Sequence, residues 1–151
     1  METSKISFNI YGSWEGNRNG SGVMATNGVN VPYSAPASLD GPGIGSNPEE
    51  LMVASASTCY MITLAAILSR REIDYSHLEV VSEGIVHEEG NNLIFKEIIH
   101  KPVIFLNGGD EEKKKEVMQL ANRAEKACFI SKTIKPQITV SIQPEIHINE
   151  L

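Results

Sequence analysis

Basic residues are few in this chain and nowhere concentrated. It carries 13 Lys and Arg against 19 Asp and Glu, a net charge of −6. The single basic run, Lys113-Lys114-Lys115, directly follows three acidic residues. Nucleic acid and anionic membranes both reward clustered cations, so neither is expected as a partner. Long apolar runs are lacking too. The longest, Leu51 to Leu68, is interrupted by Ser55, Ser57, Thr58 and Thr63, whereas a bilayer span needs about 20 mostly apolar residues. The opening Met-Glu-Thr-Ser-Lys-Ile holds no apolar core of an export signal, so a cytoplasmic location is expected. There are two cysteines, Cys59 and Cys128. In a reducing compartment they are not expected to form a permanent structural bridge, which leaves them buried as small hydrophobes or chemically active. The four histidines show no metal-ligand spacing, and no metal is expected. Gly41-Pro42-Gly43-Ile44-Gly45 lacks the preceding strand and the lysine of a phosphate loop.

What is present fits one domain spanning 1–151. Of 151 residues, 41% are hydrophobic and 21% charged, an ordinary globular balance. Residues 6–11 alternate apolar and polar, predicting a half-buried strand. Gly16 to Gly22 reads as a turn containing Arg18. Gly22–Thr26 and Val29–Tyr33 read as strands joined at Asn27-Gly28, a strong hairpin signal. Ser34–Gly45 is a Pro-, Gly- and Ser-rich connector. Asn47-Pro48-Glu49-Glu50 then combines a capping side chain, proline at the first helical position and two acids on the positive end of the dipole. The helix it opens should reach about Arg71 and, being apolar or small on nearly every side, should be central to the core. Leu78–Glu88 and Leu93–Phe105 are further strand candidates. A second helix is expected from Asp110 to about Lys126, with Val117, Ala121, Ala124 and Cys128 on one face, and a last strand over Pro136–Ile142. This order predicts an α+β fold with antiparallel sheets.

Cys59 lies mid-helix, beyond reach of the helix dipole. An ordinary thiol ionises near pH 8.5, so a nucleophilic Cys59 requires a stabilising neighbour. Arg18 is the cation of choice, with His77, His87, His100 and His147 on or beside strands in mostly solvated contexts. Glu49 is the carboxylate that could hold such an arginine. Glu49 and Cys59 are ten positions apart on one helix, roughly 15 Å along the axis and about 80° apart around it. They cannot meet within one chain. If both serve one site, two copies of the helix pack antiparallel, and Ala54, Ser55, Ala56 and Ser57 permit the close approach.

Trp14-Glu15-Gly16, Arg18 in its turn, Gly43-Ile44-Gly45-Ser46-Asn47-Pro48-Glu49-Glu50-Leu51, Cys59, and Ala124-Glu125-Lys126-Ala127-Cys128-Phe129-Ile130-Ser131 together resemble the OsmC/Ohr family, osmotically inducible protein C and the organic hydroperoxide resistance proteins. The Trp-Glu-Gly start and Glu50 are more similar to the OsmC branch. The resemblance implies an intertwined homodimer that reduces organic hydroperoxides, with Cys59 as the peroxidatic cysteine, Cys128 as the resolving one, and Arg18 and Glu49 as the activating pair. It implies a small dithiol or protein thiol as reductant, and no metal or organic cofactor. Two other readings stay open: a non-enzymatic OsmC-like dimer binding a small apolar or thiol ligand, and a redox-sensing module.

Overall fold

The computed structural model describes residues 3–149. In chain order these form β1 (Tyr11–Glu15), β2 (Ser21–Thr26), β3 (Val29–Tyr33), α1 (Pro48–Arg70), β4 (Tyr75–Glu89), β5 (Asn92–Leu106), α2 (Glu111–Ala127), α3 (Phe129–Ile134), β6 (Thr139–Ile142) and β7 (Glu145–Ile148). They fall into two compact units, divided after Leu51.

The first unit is an antiparallel sheet in the order β1-β2-β3. Asn27-Gly28 closes the β2–β3 hairpin with Thr26 opposite Val29, and Gly28 takes the positive φ of 98° that the turn requires. The strand expected over 6–11 begins only at Tyr11. Tyr11 pairs with Ala25, and β2 ends one residue later, so earlier residues have no strand beside them. Ile6, Phe8 and Ile10 are left exposed. The Pro/Gly/Ser connector is tied down by backbone bonds, among them Ser34 N–H to Ser46 O at 3.1 Å and Ser46 N–H to Pro32 O at 2.8 Å.

The second unit is built on the long β4–β5 hairpin, which turns through Gly90 at φ 64°. β6 and β7 both pair with β5, and both run parallel to it. The α+β class is as expected, but this sheet is mixed rather than antiparallel. The reason is the connection: α2 and α3 carry the chain back as a crossover, which places the next strand parallel to the one it left. α3 and β7 are too short for a periodic signal in the sequence. The main core packs Tyr60, Leu64 and Leu68 of α1 against Ile104 and Leu106 of β5 and Val117, Leu120, Ala121 and Ala124 of α2. Gly84 of β4 lets α1 sit close to the sheet, since a Cβ there would stand 2.5 Å from Val53 Cγ2.

α1 departs from expectation in one respect. Its residues Ala56, Ser57, Tyr60, Leu64, Ile67 and Leu68 are buried, but the opposite face is open, with Ile62 72% exposed. By length and composition the helix is apolar enough to cross a membrane, with a mean hydropathy of 1.9. One face packs on the protein's own core, and the other is uncovered in the single chain.

Candidate active site

Two helices deliver the two sulfurs to one place. Cys59 follows Ala56 and precedes Tyr60 on α1, so it flanks the buried stripe and is itself half-buried. Tyr60 locks α1 to α2 by donating its hydroxyl to Ala121 O at 3.0 Å. α2 then ends at Cys128, which is fully buried. There the backbone leaves helical geometry (φ −64°, ψ 119°) and restarts as α3. The first amides of a helix have no acceptor within it. The first bond of α3 is Lys132 N–H to Cys128 O, so the N–H groups of Phe129 and Ile130 have no acceptor within the helix, and both act to lower the Cys59 pKa.

These donors set the protonation of the pair. Burial pushes the Cys59 thiol up, but the Ile130 amide, the Cys128 thiol and the Phe129 amide outweigh it and hold Cys59 below the ordinary thiol value. Thr63 also approaches the sulfur. Its one hydroxyl proton is engaged by the Cys59 carbonyl at 2.8 Å, so the two amides and the Cys128 thiol are the effective donors. Cys128 moves the other way: burial raises it, bonds from Ser131 oppose, and the Cys59 thiolate raises it further. The two cysteines are therefore shifted in opposite directions, Cys59 toward the thiolate and Cys128 toward the thiol.

Arg18 and Glu49 belong to the first unit. Arg18 donates to Leu39 O at 2.8 Å and to Asp40 O at 3.3 Å, which orients its guanidinium against the short turn at Ala37–Leu39. The two adjacent glutamates divide in role. Glu50 completes the cap: its N–H donates to Asn47 Oδ1 at 2.8 Å and its carboxylate accepts from Asn47 Nδ2 at 2.9 Å. Glu49 is free of the cap, and its Oε2 is buried without a partner among the described residues, a condition that calls for a donor.

Sequence reasoning missed His100. It is fully buried, shares a 2.7 Å hydrogen bond between its Nδ1 and Ser82 Oγ, and stacks on Tyr60 at 5.2 Å. Ser82 in turn meets Ser57 of α1 at 3.0 Å. Burial lowers the His100 pKa against an opposing pull from Glu125. Glu125 is itself buried and ion-paired with Lys135. The signal was available: His100 shares the inward parity of Ile98, Ile104 and Leu106 along β5. Among the described residues, no cluster of three or more His, Cys, Asp or Glu side chains is placed to hold a metal ion.

A family model described as OsmC-like protein matches residues 41–143. The uncharacterized protein YmaD of Bacillus subtilis (strain 168) is 32% identical over 142 residues, covering 93% of this chain and 95% of that protein. Among solved structures, an OsmC-like protein of unknown function from Vibrio cholerae superposes with a TM-score of 0.76 at 15% identity, covering 92% of this chain and all of that one. The organic hydroperoxide resistance protein OhrB of Bacillus subtilis gives a TM-score of 0.62 at 22% identity, over 91% of this chain and 98% of that one.

Proposed function

Given that the chain belongs to the OsmC-like family, we propose that it is a cytoplasmic thiol peroxidase that reduces organic hydroperoxides. What carries this reading is the setting of the cysteine pair, which shifts Cys59 toward the thiolate and Cys128 toward the thiol. A nucleophile needs the first state, and a resolving group held in reserve has the second. Solved structures of similar fold that are named for organic hydroperoxide resistance support the substrate class.

The Cys59 thiolate attacks the distal oxygen of the hydroperoxide. An S–O bond forms, the O–O bond breaks, and the alkoxide leaves and takes up a proton as the alcohol. Cys59 is now a sulfenic acid. Cys128 sulfur then attacks the Cys59 sulfur, hydroxide departs and takes the Cys128 proton as water, and a Cys59–Cys128 disulfide remains. A small dithiol or protein thiol returns two electrons by exchange. Cys59 packs against the core cluster that contains Cys128, which favours resolution within the chain.

We assign Arg18 and Glu49 to the same site in a homodimer, each supplied by the second copy. The unpartnered Oε2 of Glu49 suits a carboxylate that anchors an arginine. The exposed Met52 and Ile62 of α1 are apolar surface that a second copy would cover.

Stopped-flow oxidation of the reduced protein tests the reading. Rapid consumption of one equivalent of an alkyl hydroperoxide is expected, and Cys59→Ser should abolish it. A reaction no faster than that of a free thiol would refute the enzyme.

A further inference from the structure

The turn of α1 that carries Cys59 is held from the sheet side by a chain of mostly buried polar groups, all within the second unit. Ser57 stands two residues before Cys59 and Tyr60 one residue after it, and both are buried. At about 100° per residue they lie roughly 60° apart on one face of the helix, with Cys59 about 100° round from Tyr60. Ser57 Oγ hydrogen-bonds Ser82 Oγ of β4 at 3.0 Å. Ser82 Oγ hydrogen-bonds His100 Nδ1 of β5 at 2.7 Å, and the His100 ring stacks on Tyr60 with 14° between the planes. The path Ser57–Ser82–His100–Tyr60 thus closes on α1 at two points. From Tyr60 a further bond runs to Ala121 O of α2 at 3.0 Å, about two turns before Cys128.

Packing alone does not call for a histidine here. His100 shares the inward parity of Ile98, Ile104 and Leu106, and an aliphatic side chain would fill such a place. Its Nε2 is buried without a partner among the described residues, and an unpaired buried ring nitrogen costs stability. What offsets that cost is what Nδ1 and the ring face hold. The far end of the path is equally steady: burial, with Glu125 and Cys128 nearby, pushes the Tyr60 phenol up, so its hydroxyl keeps the proton it donates. A path that grips one helix face at two points sets the rotation of that helix. With side chains a helix has a radius of roughly 5–6 Å, so a rotation of about 10° moves the Cys59 sulfur by about 1 Å. Disulfide geometry is narrow, with the two Cβ atoms about 3.5–4.5 Å apart, and a misplacement of about 1 Å can cost on the order of 100-fold.

We infer that His100 is a positioning residue for the cysteine pair: through Ser82 to Ser57, and through its stack on Tyr60, it fixes the rotation of α1 about Cys59, and Tyr60 relays that setting to α2 and Cys128. Its place in turnover, alignment of the two sulfurs for the resolving step, rests on the peroxidase reading. The alignment itself does not.

The test is the equilibrium between the Cys59–Cys128 dithiol and its disulfide in glutathione redox buffers, read on the full-length protein by alkylation and intact mass, with no peroxide present. His100→Leu removes the bond and the stack, Ser82→Ala removes both hydroxyl bonds, and Tyr60→Phe keeps the ring but cuts the link to α2. Each should lower the constant for disulfide formation about tenfold, and Ser82→Thr, which keeps the hydroxyl, should restore it to within about twofold. Val140→Ala, a loss of packing in the core cluster that holds neither cysteine, should lower thermal stability and leave the constant unchanged. Wild-type constants in folded Ser82→Ala and Tyr60→Phe, or a shift in Val140→Ala as large as theirs, would overturn the inference. Ser82→Ala and Tyr60→Phe each delete a single hydroxyl, so the test stands even where His100→Leu fails to fold. Shifted constants in a protein inert to hydroperoxides would remove the peroxidase and leave the positioning role. Unshifted constants in a working peroxidase would do the reverse.

Discussion

Phe129→Pro isolates one backbone amide and asks what it contributes to the reactivity of Cys59. Proline removes the N–H and nothing else that this position needs. It is favoured at the first position of a helix, which Phe129 occupies in α3. Cys128 already has the extended ψ of 119° that a following proline demands. The lost ring is 69% exposed, so little packing goes with it. A hydrogen bond to a charged acceptor contributes about 1.5–3 kcal/mol. Because Cys59 is half-exposed and the Ile130 and Cys128 donors remain, the low end applies, about 1.5 kcal/mol, or roughly tenfold in thiolate population. The assay is the rate of Cys59 alkylation by iodoacetamide against pH. Cys59 is held below the ordinary thiol value, so the amide favours the anion. The variant should lag about tenfold where both proteins are mostly protonated, and converge with wild type at high pH, where both are ionised. Phe129→Ala keeps the amide and should retain the wild-type profile. An unchanged profile in a folded Phe129→Pro would refute the argument that α3 activates the sulfur.

The other predictions concern division of labour, the second copy, the buried histidine and the helix–sheet contact. Cys128→Ser should complete one oxidation of Cys59 and then stall as the sulfenic acid or oxidise further, seen by intact mass; equal loss of the first step in Cys59→Ser and Cys128→Ser would contradict the roles assigned. Mixing Cys59→Ser chains with Glu49→Ala chains should restore some sites if Glu49 acts in trans, and heterodimers shown to form yet remain inactive would count against that. The folded His100 pKa is lowered from 6.5, so its contribution is full above that value and is lost as pH falls through the folded pKa. Thermal stability should therefore decline on acidification below pH 6.5, and less steeply in His100→Asn; parallel curves would remove His100 as the cause. Gly84→Ala should cost about 1–3 kcal/mol by overpacking, with part regained in Gly84→Ala/Val53→Ala, since the added Cβ meets Val53 Cγ2 at 2.5 Å.

Local chemistry made parts of the fold legible in the sequence. Asn47 through Glu50 announced the start of α1 because capping needs only neighbouring residues: Asn47 Oδ1 accepts from the Glu50 N–H as in a capping box, while the return bond runs to the Asn47 side-chain amide rather than its backbone. Asn27-Gly28 announced its hairpin for the same reason. Non-local arrangements were less visible. Parallel pairing of β6 and β7 with β5 depends on where α2 and α3 carry the chain. The strand expected over 6–11 has the right alternation but a strand partner only at Tyr11. At the site, residue type alone marked Cys59 and Cys128 as either buried or reactive, and their roles came only from the family resemblance. The search for a cation to ionise Cys59 overlooked the amides of Phe129 and Ile130, because backbone donors leave no mark in a sequence and α3 spans only six residues. His100 was read as solvated from its polar type, whereas its strand parity pointed inward.

The most direct test of the central claim is product mapping after one equivalent of an organic hydroperoxide is added to the fully reduced protein. Peptide mass analysis should find an intramolecular Cys59–Cys128 disulfide formed within the mixing time, by way of a sulfenic acid trapped on Cys59 alone when Cys128 is absent. Both thiols still free, or the first oxidation found on Cys128, would contradict the proposal that the amides at the start of α3 and the Cys128 proton make Cys59 the nucleophile.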